Sequence, residues 1–240
     1  MKRLGLALAL LGALSVSSLL LAPLETLIPP ETGRSIPRMA LIIQPLLLVL
    51  GGVALGCWAA PKLGLDAPII RGLIDRTLFG STVMGMLAPA IVSGLAVAAV
   101  LMGYDTLTAS TFGNSADPIM TKLANFQVPL ASKLLYGGIG EELLARWGLM
   151  SFFAFMALKL GLLRDRSLWA GNIIAALLFG LGHLPLLYLL IPAPPLWLLA
   201  TVIAGNVIPG LIFGWLFSRK GLESAMLAHG LGHLFFSLLS

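Results

Sequence analysis

Charge is what this 240-residue sequence has least of. Asp, Glu, Lys and Arg make up 10% of it, against about 25% in soluble domains. That shortage, with 58% hydrophobic residues and a mean hydropathy of +0.99, excludes an ordinary soluble domain. Alternating apolar and polar residues are also missing, which excludes a membrane β-barrel. Cysteine is reduced to Cys57, so there is no intramolecular disulfide framework and no CxxC site. No basic cluster is interleaved with aromatics, so the net charge of +5 does not point to nucleic acid. The apolar residues instead come in long unbroken runs. They predict an all-α polytopic transmembrane bundle of about seven to eight membrane helices, with residues 1–240 as one membrane domain.

Seven spans can be placed. The first, Gly5 to Ala22, follows Met1-Lys2-Arg3 and lacks a clean A-x-A site, so a retained helix is preferred to a signal peptide. The others run from about Met39 to Ala60, Thr82 to Gly103, Val128 to Leu158, Ser167 to Ile191, Leu196 to Ser218, and Leu222 to the C-terminus. Pro61 to Gly80 is expected to hold a short surface helix. Tyr104 to Gln127 is the most polar stretch; it is expected to be an interfacial loop and the place for a lid or substrate entry. Ten Lys and Arg fall on the side of the N-terminus, against Arg34, Arg38, Lys122 and Lys133 on the other. The positive-inside rule then predicts an integral membrane protein, of the plasma membrane in a prokaryotic source, with a cytoplasmic N-terminus.

The few ionisable groups inside those spans carry the functional signal, because a charge in the bilayer is costly. GGIGEELLAR, Gly137 to Arg146, places Glu141 beside Glu142. On an α-helix they point about 100° apart, so they cannot serve one site equally. Glu142 and Arg146 are four apart in the favourable order and are expected to pair. Glu141 is then the freer carboxylate, on a face of small residues, Gly137, Ala145 and Gly148. The histidines number three, His183, His229 and His233, all in later spans. His229 and His233 share a helix face. That spacing suits two imidazoles on one metal or two donors on one substrate oxygen. Asn206 is a further polar residue in a span, read as packing or as an assisting group. Other intramembrane protease signatures are absent: no HExxH, no GxSx serine backed by a suitable histidine, no GxGD.

In order and spacing, Glu141-Glu142-x-x-x-Arg146, Phe179-x-x-x-His183 and His229-x-x-x-His233 resemble the CPBP family of intramembrane proteases, relatives of type II CAAX prenyl endopeptidases and of bacteriocin-processing and immunity proteins. The resemblance covers about residues 128–240, which would be the catalytic core. It implies an endopeptidase in which Glu141, helped by His183, activates water. Glu142 and Arg146 would form a supporting pair, and His229 and His233 would polarise the scissile carbonyl. The family usually has Asn or Asp where this chain has His233. It has long carried a metalloendopeptidase label, whereas its current reading is glutamate-type. No metal or other cofactor is favoured; the alternative is Zn²⁺ on Glu141, His183, His229 and His233. The implied partners are the lipid bilayer and a peptide or protein substrate, lipidated in the family precedent. A catalytically inactive immunity or membrane-binding relative is one competing reading. A proton-linked transporter is another, disfavoured because no internal repeat is present.

Overall fold

The computed structural model describes residues 1–27, 37–77, 79–112, 121 and 126–239. Every regular element among them is helical. The main helices are α1 (Lys2–Ser17), α2 (Ile43–Ala59), α3 (Pro68–Asp75) and α4 (Gly80–Phe112). After them come α5, then α6 (Arg164–Gly182), α7 (Leu184–Leu190), α8 (Leu196–Lys220) and α9 (Leu222–Leu239). Helix α5 is wound in parts: Leu130–Ser132 as α-helix, Lys133–Glu141 and Leu143–Met150 as π-helix, and Ser151–Lys159 as α-helix again.

Six stretches are long and apolar enough to cross a membrane: Lys2–Leu21, Arg38–Leu63, Gly80–Thr111, Arg164–Leu190, Leu196–Lys220 and Leu222–Leu239. They coincide with six of the seven expected spans. The remaining one is α5, which carries the glutamates. Leu6, Leu10 and Leu14 form a stripe on α1 and are 64%, 64% and 61% exposed. Such a stripe belongs against lipid tails, because water would drive it into another surface.

Helix α5 is the hub. Its Leu143–Met150 part packs on α2 and α6, and its Lys133–Glu141 part packs on α1 and α9. The α2 crossing is backbone on backbone: a Cβ added at Gly148 would stand 2.6 Å from Gly52 Cα. Small residues at such crossings let membrane helices approach closely. At the start of α5, Ser132 Oγ donates to Ser18 O at 2.6 Å, tying it to the end of α1. Helix α9 lies along α4 and α8, and α8 along α6. The surface helix expected between the second and third spans is α3. The Glu223 carboxylate, at the start of α9, accepts from Ile70 N at 2.8 Å and so fastens the first turn of α3.

Two boundaries differ from the expectation. Helix α4 continues through Tyr104 to Phe112, where a loop was expected. Thr106 Oγ donates to Met102 O, and Ser110 Oγ to Leu107 O. These hydroxyls are satisfied on the helix itself, so a polar run need not end it. The rest of that linker, 113–120 and 122–125, lies outside the described residues, and with it most of the expected lid. The span holding His183 is divided at His183 into α6 and α7. Pro185 explains the break, since it has no N–H to continue the α6 ladder.

Candidate active site

Helix α5 brings the two glutamates to the centre of the bundle. Glycines at 137, 138 and 140 add no side chains that would resist its widened winding. π-Helical turns are rare and cluster at functional sites. Closing over five residues instead of four, each step turns the side-chain direction by less than the 100° expected for an α-helix. Both carboxylates reach one imidazole. His229 Nδ1 is 2.8 Å from Glu142 Oε1, and His229 Nε2 is 3.9 Å from Glu141 Oε2.

Glu142 also takes its expected partner, with Arg146 Nε 3.3 Å from Oε2. The side chains of Glu142 and Arg146 are 0% and 2% exposed, while that of Glu141 is 17% exposed. Glu141 is the freer carboxylate, as its setting in the sequence suggested. Arg146 Nη1 and Nη2 are buried without hydrogen-bond partners among the described residues. The guanidinium lies against Phe179 and Phe213, 5.1 and 5.6 Å from the ring centroids. Cation–π attraction of this kind is strengthened by desolvation.

Three rings pack on His229. Its ring stacks on Phe213 (centroids 4.7 Å, interplanar angle 18°) and on His233 (4.9 Å, 28°), and Phe179 meets it edge-on. The Nε2 atoms of His229 and His233 converge over Gly137. A Cβ there would stand 3.6 Å from the first and 2.8 Å from the second. His183 stands at the end of α6, its Nδ1–H donating to Phe179 O at 2.8 Å and its ring T-shaped to Phe179 at 4.7 Å. Phe179 therefore touches both His183 and His229.

A cavity of about 320 Å³ opens beside the paired histidines. Asp105, Lys133, Asn206, His229 and His233 give it polar walls; Glu141 and His183 do not line it. Asn206 sits on this wall with its Nδ2 donating to Val202 O at 2.8 Å. Sequence reasoning missed the Glu142–His229 bond, the Phe213 stack and the place of Lys133 in the cavity wall. Cross-helix contacts of this kind leave no signal in residue spacing.

Residues 124–235 match a family model described as Rce1-like, type II CAAX prenyl endopeptidase Rce1-like. The matched segment runs from just before α5 into α9 and holds Glu141, Glu142, Arg146, Phe179 and all three histidines. That segment, a little under half of the chain, is similar to the Rce1-like family. The family so described is one of prenyl endopeptidases. No curated protein and no solved structure matches it.

The zinc alternative requires Glu141, His183, His229 and His233 to gather around one ion. Among the described residues no three His, Cys, Asp or Glu side chains are grouped so that they could hold a metal ion. His229 Nδ1 and His183 Nδ1 are held by Glu142 and by Phe179 O, which leaves the Nε2 atom of each ring as its other face.

Proposed function

We propose that this protein is an intramembrane endopeptidase that hydrolyses a peptide bond in a membrane-associated substrate, with water activated by Glu141. The observation that carries the reading is the pair of adjacent glutamates meeting the two nitrogens of one buried imidazole. A merely structural ion pair needs Glu142 and Arg146. It does not need a second, partly open carboxylate beside His229.

In the proposed reaction the water oxygen attacks the scissile carbonyl carbon as one water proton moves to Glu141. The carbonyl oxygen becomes an oxyanion near Gly137, where the Nε2 atoms of His229 and His233 converge. Donors presented at such a point as the charge develops can contribute several kcal/mol in a site that excludes water. The C–N bond then breaks, and the proton passes to the leaving amine. His183 assists from the end of α6. The missing Cβ at Gly137 leaves room for a substrate backbone beside both histidines. A substrate with a lipidated CAAX end fits the family precedent, and the apolar walls of the cavity suit a lipid-anchored peptide.

The test is cleavage of a prenylated CAAX peptide by the purified full chain in liposomes. Glu141→Gln should abolish cleavage while thermal unfolding stays within a few degrees of the wild type. Full activity in that variant would end the assignment. Excess chelator should leave the rate unchanged; loss on chelation with recovery on added Zn²⁺ would reinstate the metal alternative.

A further inference from the structure

The 2.8 Å contact between His229 Nδ1 and Glu142 Oε1 determines where the histidine carries its proton. Glu142 is the counter-ion of Arg146, with 3.3 Å between Oε2 and Nε, and an ionised carboxylate only accepts hydrogen bonds. The proton in the His229 contact therefore sits on Nδ1. A neutral imidazole with Nδ1–H presents a lone pair at Nε2, and Nε2 is the nitrogen facing Glu141 Oε2 at 3.9 Å and the space over Gly137. Phe213 and His233 both stack on the ring and Phe179 meets it edge-on, and this packing resists a flip that would exchange its two edges.

We infer that Glu142 is a positioning residue that fixes His229 as the Nδ1–H tautomer, so that Nε2 enters the reaction as a proton acceptor and becomes a donor only after it is charged. The inference rests on the proposed protease reading and deepens it. The proton that Glu141 takes from water is handed on to His229 Nε2, 3.9 Å away in the resting site, through one bridging water or on closure to hydrogen-bond distance, leaving Glu141 again a carboxylate. The resulting Nε2–H⁺ stands beside the oxyanion formed in the same step. As the C–N bond breaks, Nε2 gives that proton to the leaving amine, and His229 returns to its starting tautomer. One water is consumed, its hydroxyl on the new carboxyl group and its proton on the amine. Glu142 never loses or gains a proton. It serves Arg146 with one oxygen and His229 with the other, which explains why a carboxylate this deeply buried has two partners.

The charged and titratable groups around His229 are Glu141, Glu142, Arg146 and Lys133 from α5, His233 on its own helix, His183 from α6 and Asp105 from α4. Because the chain has three histidines in all, the tautomer can be read directly. The full chain is labelled with ¹⁵N-histidine and reconstituted in lipid, and the His229 ring signals are assigned by their loss in His229→Phe. The inference expects a protonated, hydrogen-bonded Nδ1 and an unprotonated Nε2 at neutral pH. A protonated Nε2 in the resting protein, or a bare Nδ1, would overturn it. This measurement needs no substrate. It stands or falls separately from the protease reading, which fails if the wild type cleaves no prenylated CAAX peptide.

Kinetics supply the second arm. In Glu142→Gln the amide can accept from Nδ1 or donate to it, so the tautomer is no longer imposed. The expected result is a fall in kcat on the order of 10³–10⁴-fold, the size associated with a catalytic histidine held in the wrong tautomer. KM should stay within about threefold, and the pH–rate profile should shift. A loss of active molecules alone would lower the amplitude and leave the profile in place, and that outcome would refute the positioning role. If Glu142→Gln does not fold, the ring signals of the wild type decide.

Discussion

Adding one methyl group at Gly137 should disable the site without unfolding the protein. The new Cβ of Gly137→Ala would lie 2.8 Å from His233 Nε2 and 3.2 Å from its Cδ2. Comfortable carbon contacts lie near 3.5–4.0 Å, so relief requires a shift of roughly 0.7 Å. His233 has little freedom to give it, because its ring stacks on His229 at 4.9 Å and Glu142 holds His229. Overpacking of this kind costs about 1–3 kcal/mol. Alanine returns up to about 1 kcal/mol of helix propensity over glycine. The net loss of stability is then about 0–2 kcal/mol. A displacement of nearly 1 Å at reacting groups can cost on the order of 10²-fold in rate. Activity should therefore fall by roughly one to two powers of ten, while thermal unfolding in detergent moves little. Gly103→Ala is the control, since no atom lies within 4 Å of its added Cβ. The decisive comparison is Gly137→Ala combined with His233→Asn. Asparagine ends short of the imidazole Nε2, so the clash should vanish and the double variant should be no worse than His233→Asn alone. A coupling of about 0.5–3 kcal/mol is the expected range for residues in contact. If Gly137→Ala cleaves the prenylated CAAX peptide at the wild-type rate, or if the two changes act independently, the convergence of both histidines on Gly137 is not what organises the site.

Other consequences follow from the same packing. Arg146→Met strands Glu142 as a buried charge and should lower stability by about 3–5 kcal/mol, measured by unfolding in detergent; replacing both members with Met should recover most of the stability and none of the activity. Gly148→Ala sets a Cβ 2.6 Å from the Gly52 backbone, where no side chain can swing aside. It should cost as much as the severe end of overpacking, about 3 kcal/mol, and weaken the α2–α5 crossing in a cysteine cross-linking assay. Glu223→Ala removes the acceptor of Ile70 N. The loss of such a cap, about 0.5–2 kcal/mol, should appear as faster hydrogen exchange across Pro68–Asp75 with α9 still protected.

Much of the bundle could be read from hydropathy, because the bilayer forces long apolar helices whatever their neighbours. The Glu142–Arg146 pair could be read as well, being a local contact four residues apart. The winding of α5 could not. Glycines permit a π-turn without demanding one, and the choice depends on what α1, α2 and α9 pack against it. The expectation that the two glutamates cannot serve one site equally rested on α-helical spacing, and His229 meets both because its two nitrogens face different carboxylates. The polar run after Gly103 misled for another reason. Thr106 and Ser110 find acceptors on their own helix, so polarity alone did not mark a loop.

The end of α6 has a bearing on how mutants are interpreted. Phe179 O would ordinarily take the amide N–H four residues on. That amide, His183 N, bonds Gly180 O at 3.3 Å instead, and the His183 ring supplies Phe179 O with a donor. His183 is thus the terminal fastening of its own helix, on the residue where Pro185 breaks the chain. Alanine at 183 would remove a reactive nitrogen and unfasten α6 at once, and a dead variant would say nothing about which mattered. Asparagine, whose amide N–H can stand in for Nδ1–H while offering no counterpart to Nε2, separates the two: a folded, inactive His183→Asn would place the loss in the chemistry, and a folded, active one would reduce His183 to a fastening.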